Sequence, residues 1–153
     1  MDAVLDLVHE LAIFEREPTA VVLSTSDLVR DGFGENPLFS CFVAVVEFQI
    51  VGMALFYNRY STWKGKTIHL EDLIVKHDYR GTGIGMALYE AVIKEGKKQN
   101  VRRIEWNVLE WNKPAIDFYE KTGAQVLYDW CNVQMNEERM NWFLESKNQN
   151  IPS

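Results

Sequence analysis

The amino-acid sequence predicts an α/β domain, with one central, mostly antiparallel sheet and helices on both of its faces. Three observations carry that expectation. Stretches with apolar residues at helical spacing alternate with β-branched and aromatic runs from one end of the chain to the other. Two of those runs, over residues 39–46 and 50–60, are separated by only three residues, which reads as a hairpin. A third, over 67–75, passes through a glycine cluster straight into a helix-period stretch. With 153 residues and 47% hydrophobic content, the chain is long enough for one core and too short for two ordinary ones. We therefore read residues 1–153 as a single domain.

The elements follow in order. Val4, Leu7, Val8 and Leu11 recur at i, i+3, i+4 and i+7, so a helix is expected over about 3–14, ending at Phe14 and Glu15 ahead of Pro18. A shorter helix is expected over 24–30, with Ser24, Thr25 or Ser26 as its cap. Residues 31–37 then read as a loop. The hairpin joins its strands through Glu47, Phe48 and Gln49, which lack an Asn-Gly or Asp-Gly signature and leave the turn type open. After a loop over 61–66 and the strand over 67–75, the helix beyond the glycines runs to about residue 100, with Glu90 four before Lys94. Residues 102–109 read as a strand. Asn112 or Lys113 caps the next helix, Pro114 fits its first turn, and Gly123 is a left-handed terminator. Strands over 124–128 and 130–135, a last helix from Asn136, and a frayed tail from Asn148 to Ser153 complete the reading.

Composition narrows the function. A formal net charge of −6 disfavours nucleic acid and suits a cationic small substrate. No apolar run approaches the roughly 20 residues that span a bilayer. The opening MDAVLDLVHEL is an acidic amphipathic pattern and not a signal sequence, so a cytoplasmic location is expected. Cys41 and Cys131 lack metal or redox spacing and read as free thiols, and His9, His69 and His77 show no metal spacing either. No metal is expected.

The most informative stretch is LEDLIVKHDYRGTGIGMAL, from Leu70 to Leu88. A strand, a glycine turn and a helix start in that order make an anion site, because the first helical amides are free and the dipole's positive end faces the turn. A dinucleotide fingerprint would need glycine at Met86. A mononucleotide phosphate loop would need Lys and then Ser or Thr directly after Gly85, where Met86 and Ala87 stand. The bland alternative is a glycine-rich turn that caps an ordinary helix. The run Arg80-Gly81-Thr82-Gly83-Ile84-Gly85 resembles the R/Q-x-x-G-x-G/A pyrophosphate motif of the GNAT superfamily of N-acetyltransferases. Asp31-Gly32-Phe33-Gly34-Glu35, Leu70-Glu71-Asp72, Glu110-Trp111-Asn112, Phe118-Tyr119 and Gly123-Ala124 extend the likeness to the diamine and polyamine (spermidine/spermine) N-acetyltransferases and their thialysine-directed relatives. Two features depart from that pattern. Members usually begin with a strand ahead of the first helix, whereas this chain opens on the helix, so either the sheet lacks its usual first strand or another segment covers that edge; and where polyamine enzymes show Tyr-Asp-Pro-Trp this chain has Tyr60-Ser61-Thr62-Trp63. The missing acid favours smaller diamines or amino-acid-like amines.

The resemblance implies a GNAT fold and acetyl-CoA as co-substrate. It implies that the coenzyme meets Leu73, Ile74 and Val75 on the strand, Arg80, Gly81, Thr82, Gly83, Ile84, Gly85 and Met86 at the turn, and Asn112, Ala115 and Tyr119 beyond. Tyr119 would protonate the departing thiolate, and its alternative is a core aromatic beside Phe118. An amine with a pKa near ~10.4 must lose a proton before it attacks. Glu71 matches the acidic position that takes it, although an acid there can also simply hold the cation. In a regular strand Asp72 would point to the opposite face. Asn112 serves equally as a helix cap. Phe14, Glu15, Glu35, Trp63, Glu105 and Asn107 are the further candidates at the amine end. Transfer is expected to be direct, in a ternary complex, onto a primary amine of a small di- or polyamine. The rivals are a thialysine-type acetyltransferase and a non-catalytic acetyl-CoA sensor. The family also implies a homodimer.

Overall fold

The computed structural model describes residues 1–149, with side chains through Ser146. It divides into two compact units, Met1–Leu109 and the chain from Glu110 onward.

The first unit opens with α1 (Asp2–Phe14) and α2 (Thr25–Phe33). Ser24 starts α2 through a reciprocal capping box: its hydroxyl accepts from the Asp27 amide, and its own amide donates to the Asp27 carboxylate. The helix runs on through Asp31, Gly32 and Phe33, which local signals assign to a loop. The added Cβ that any other residue would carry at 32 falls 2.9 Å from the Phe39 ring, so glycine lets this last turn lie close to the chain that follows.

The sheet has order β1-β2-β3-β4, formed by β1 (Ser40–Val46), β2 (Gln49–Ser61), β3 (Gly65–Val75) and β4 (Ile104–Glu105). The first two pairings are antiparallel and the last is parallel. The hairpin between β1 and β2 turns on Glu47 and Phe48 alone, both left-handed (φ 47° and 65°), as in a type I′ turn. No strand lies outside β1 among the described residues. The expected strand over 102–109 contracts to two residues, whose only partners on β3 are Ile68 and His69.

Helices cover both faces. Met53 and Ile74, paired across β2 and β3, pack with Val4, Leu7 and Leu28 from α1 and α2. Their neighbours Gly52 and Val75 face the other way, where Leu88 of α3 (Ile84–Lys98) lies 3.2 Å from the position a Cβ on Gly52 would take.

The second unit holds α4 (Lys113–Lys121) and α5 (Glu137–Gln149). The Asn112 side chain caps α4 by accepting from the Ala115 amide at 3.3 Å. Gly123, at φ 89°, ends it in a Schellman arrangement: the Gly123 amide donates to the Glu120 carbonyl and the Ala124 amide to the Tyr119 carbonyl. The strands expected over 124–128 and 130–135 do not form. β-propensity needs a paired backbone and a half-buried face, and Leu127, Tyr128, Trp130, Val133 and Met135 are exposed here. The last helix runs to Gln149, and the rest of the tail expected to fray lies outside the described residues.

Met53 is fully buried in the cluster that ties the sheet to α1. Met53→Ala is expected to lower the stability of the first unit by about 2–5 kcal/mol in urea denaturation.

Candidate active site

Between Leu55 and Phe56 the register of β2 against β3 shifts: Leu55 pairs with Asp72 and Phe56 with Leu70. Glu71 is therefore the extra residue of a β-bulge. A bulge re-aims side chains, and this one cancels the alternation that would send Glu71 and Asp72 to opposite faces. The expectation drawn from a regular strand is corrected accordingly. Tyr57 and His69 are paired across the strands, their rings 5.3 Å apart, and both reach Glu71. The Tyr57 hydroxyl donates to Glu71 Oε2 at 3.0 Å, and His69 Nε2 lies 3.5 Å from the same oxygen. Burial, followed by that hydrogen bond, raises the Tyr57 phenol above its ordinary pKa, so it remains a donor at neutral pH. His69 is buried and its Nδ1 has no hydrogen-bond partner among the described residues. Glu71 itself is half exposed.

Asp72 lies in a row with Leu55 and Cys41 across three strands, on the face covered by α1. Burial pushes its carboxyl up to about 6, and the charges of Glu71 and Glu15 add to the shift. Burial, and then the charge of Asp72, raises the Cys41 thiol to about 11, so Cys41 is no nucleophile at neutral pH. Asp72 is the residue that sequence reasoning undervalued. The signal that would have found it is the bulge, which leaves no Gly or Pro behind it.

Beyond Leu70 the far edge of β3 has no strand partner among the described residues. The Lys76 amide donates to the Val51 carbonyl on the β2 side. Alternation then turns the Leu73 and Val75 amides to the open edge. The Ile74 side chain belongs to the core, and the Val75 side chain lies under the glycine turn, 3.7 Å from where a Cβ on Gly85 would sit.

Gly81 (φ 74°) and Gly83 (φ 90°) are both left-handed, with nothing within 4 Å of an added Cβ. Gly83 is the N-cap of α3 and offers no side chain, so the amides of Ile84, Gly85 and Met86 open the helix without a capping group. Thr82 Oγ1 donates to the Tyr79 carbonyl at 2.6 Å and fixes the turn. Arg80 Nε donates to the Val75 carbonyl at 2.9 Å, and its guanidinium lies over the Phe14 ring at 5.7 Å. Free amides, open space above two glycines and a guanidinium at the rim suit a diphosphate.

The other candidates divide. Glu15 follows the end of α1; it is exposed, yet neighbouring apolar groups shield its carboxyl enough to raise it above its ordinary value. Glu35, Trp63 and Asn107 are exposed loop or strand-end residues, not drawn into the Glu71 cluster by any contact the structure records. Glu105 is engaged elsewhere: Arg59 Nη1 and Arg103 Nε lie 2.8 and 2.9 Å from its two oxygens, as ionic contacts not aligned as hydrogen bonds. An acid already flanked by two guanidiniums offers little to an ammonium. In the second unit, Tyr119 is buried on α4 with Phe118 edge-on at 5.4 Å, and Ala115 is bonded to the Asn112 cap. Among the described residues no cluster of three His, Cys, Asp or Glu could hold a metal, and no helix is long and apolar enough to cross a membrane.

Residues 5–124 match the family model described as the acetyltransferase (GNAT) family. A thialysine N-epsilon-acetyltransferase from Bos taurus is 42% identical over 132 residues, covering 81% of this chain and 78% of that protein. A spermidine/spermine N(1)-acetyltransferase-like protein from Homo sapiens is 35% identical over 147 residues, covering 90% of this chain and 21% of that protein. Among solved structures, an integron cassette protein from the mobile metagenome of V. cholerae superposes with a TM-score of 0.76 at 22% identity, covering 94% of this chain and 90% of that one. That last likeness bears on the fold alone.

The raised Asp72 carboxyl has a consequence for stability that does not depend on any activity. Between its unfolded value near 3.8 and its folded value of about 6, the folded chain binds more proton than the unfolded one. Stability linked to Asp72 is thus present below the unfolded value and lost as pH rises through about 6. Asp72→Asn should stabilise the protein by about 1–3 kcal/mol at pH ~7.5 and by nearly nothing at pH ~4, read from urea midpoints at the two values.

Proposed function

This chain belongs to the acetyltransferase (GNAT) family, and from that premise we propose that it moves an acetyl group from acetyl-CoA directly onto the primary amine of a small cationic substrate. The observation that carries the reading is the alignment, on one strand, of the Glu71–Asp72 bulge, the outward amides of Leu73 and Val75, and the glycine turn that opens α3. The diphosphate would rest on the amides from Gly81 to Met86 with Arg80 beside it, and the pantetheine arm would add to the open edge of β3 as a strand does. The Leu73 amide would meet the thioester oxygen. Glu71, oriented by Tyr57 and His69, would draw the ammonium and take its proton directly or through water, with Asp72 supplying further negative charge behind it. Tyr119 would return a proton to the thiolate, as the family likeness implies.

For the substrate, the relatives named for thialysine and the serine at 61 both weigh toward a short amino-acid-like or diamine chain and against a long polyamine. The diamine assignment drawn from the sequence thus becomes the second preference. The family match runs across both compact units, which supports one working domain. A cytoplasmic homodimer is part of the proposal; the exposed Leu127, Tyr128, Trp130 and Val133 are apolar surface of the kind a subunit interface uses.

Release of free thiol from acetyl-CoA across thialysine, lysine, putrescine, spermidine and spermine tests the reading. Turnover with thialysine or putrescine above that with spermine is expected. Tight coenzyme binding with no turnover on any amine would convert the protein to a sensor. Tyr119→Phe should cut turnover about 10²-fold or more with coenzyme affinity nearly kept. Glu71→Gln should cost most at low pH, where free amine is scarcest, and a loss uniform in pH would leave Glu71 a cation-binding group only.

A further inference from the structure

We propose that Phe14 is a positioning residue for the coenzyme's diphosphate, acting through Arg80, and is not a wall of the amine pocket. The inference rests on the reading of Arg80 as a diphosphate ligand. Phe14 is the last residue of α1 and 39% exposed, a placement that by itself suggests substrate contact. Its ring, however, lies under the Arg80 guanidinium, with Cζ 5.7 Å from the ring centroid, inside the range of a cation–π contact. Arg80 is thereby held at two points. Nε is committed to the Val75 carbonyl at 2.9 Å, and the guanidinium lies over the Phe14 ring. The Arg80 backbone continues the fix, because its amide donates to the His77 carbonyl just before the left-handed Gly81.

These constraints leave the two terminal guanidinium nitrogens, and no carboxylate pairs with Arg80 among the described residues. A fork anchored at Nε with its terminal donors left over is suited to two oxygens of one diphosphate. A long exposed side chain otherwise loses rotamer freedom when it grips a ligand. The Phe14 ring and the Val75 carbonyl have already restricted it before the ligand arrives. Lysine could make neither contact in the same way, having no Nε–H fork and no plane to stack.

The test separates the diphosphate from the rest of the coenzyme. Titration calorimetry compares coenzyme A with pantetheine, which lacks the diphosphate, on the full chain. Phe14→Leu should weaken coenzyme A about two- to fivefold, the range of an exposed cation–π contact, and leave pantetheine affinity unchanged. Phe14→Tyr keeps a π face and should bind coenzyme A like the wild type. In an Arg80→Lys background the Phe14→Leu change should have no further effect, and this cycle reads the coupling even if Phe14→Leu lowers the melting temperature. Equal weakening of both ligands by Phe14→Leu, or a raised amine KM with unchanged coenzyme A affinity, would overturn the proposal. A wild-type chain that fails to bind coenzyme A at all would instead overturn the functional reading beneath it.

Discussion

Strand β3 is bonded to β2 along its length and to β4 at only two residues, and the candidate chemistry depends on that imbalance. A strand with a full neighbour on both sides has no main-chain donors to give. Here the edge from Leu70 to Val75 keeps them, and backbone groups left open in this way must find water or a ligand. The same strand then runs into the glycine turn, so donors of two kinds, strand-edge amides and helix-start amides, follow one another along a few residues. An extended thioester ending in a diphosphate matches that order better than a compact ligand would.

The bulge at Glu71 supplies the acidic half. By inserting one residue, it puts two consecutive carboxylates on one side of a strand that would otherwise divide them. The cost appears in Asp72, whose carboxyl is destabilised in its charged form by burial and by Glu71 and Glu15. A chain optimised for stability alone would place Asn or Leu there. Strain of this kind, held in place by a well-packed scaffold, is what a functional site ordinarily carries. The scaffold is the Val4, Leu7, Met53 and Ile74 cluster directly beyond it.

Much of the fold was legible because its signals are local. The spacing of Val4, Leu7, Val8 and Leu11 gave α1, the Ser24-Thr25-Ser26 run the start of α2, Asn112 and Gly123 the two ends of α4, and the glycines the start of α3. What escaped needs knowledge of a neighbour. Nothing near Glu71 announces a bulge, since register belongs to a pair of strands and not to one. Glu105 looked available until the cross-strand Arg59 and the nearby Arg103 were brought onto it. The segment 124–135 has the composition of two strands but no backbone partner here, and propensity without a partner yields no ladder. Phe14 reads as an amine-end candidate in the sequence, and only the folded chain shows its ring beneath the arginine of the glycine turn.

Two carboxylates beside a cationic amine create a conflict, because the charge that attracts the ammonium also holds its proton on. In the proposed reaction the raised value of Asp72 would ease it. A proton passing from an alkylammonium near ~10.4 to an ordinary aspartate descends through about 6 to 7 units, an uphill transfer of roughly 9 kcal/mol. With the acceptor at about 6, the gap shrinks by about 2 units, or ~3 kcal/mol. In the proposed reaction Glu71, steadied by Tyr57 and His69, would take the proton from the amine, and the buried Asp72 behind it would be a better place for that proton to rest than an ordinary aspartate. The inserted residue in β3 is what sets the two carboxylates side by side.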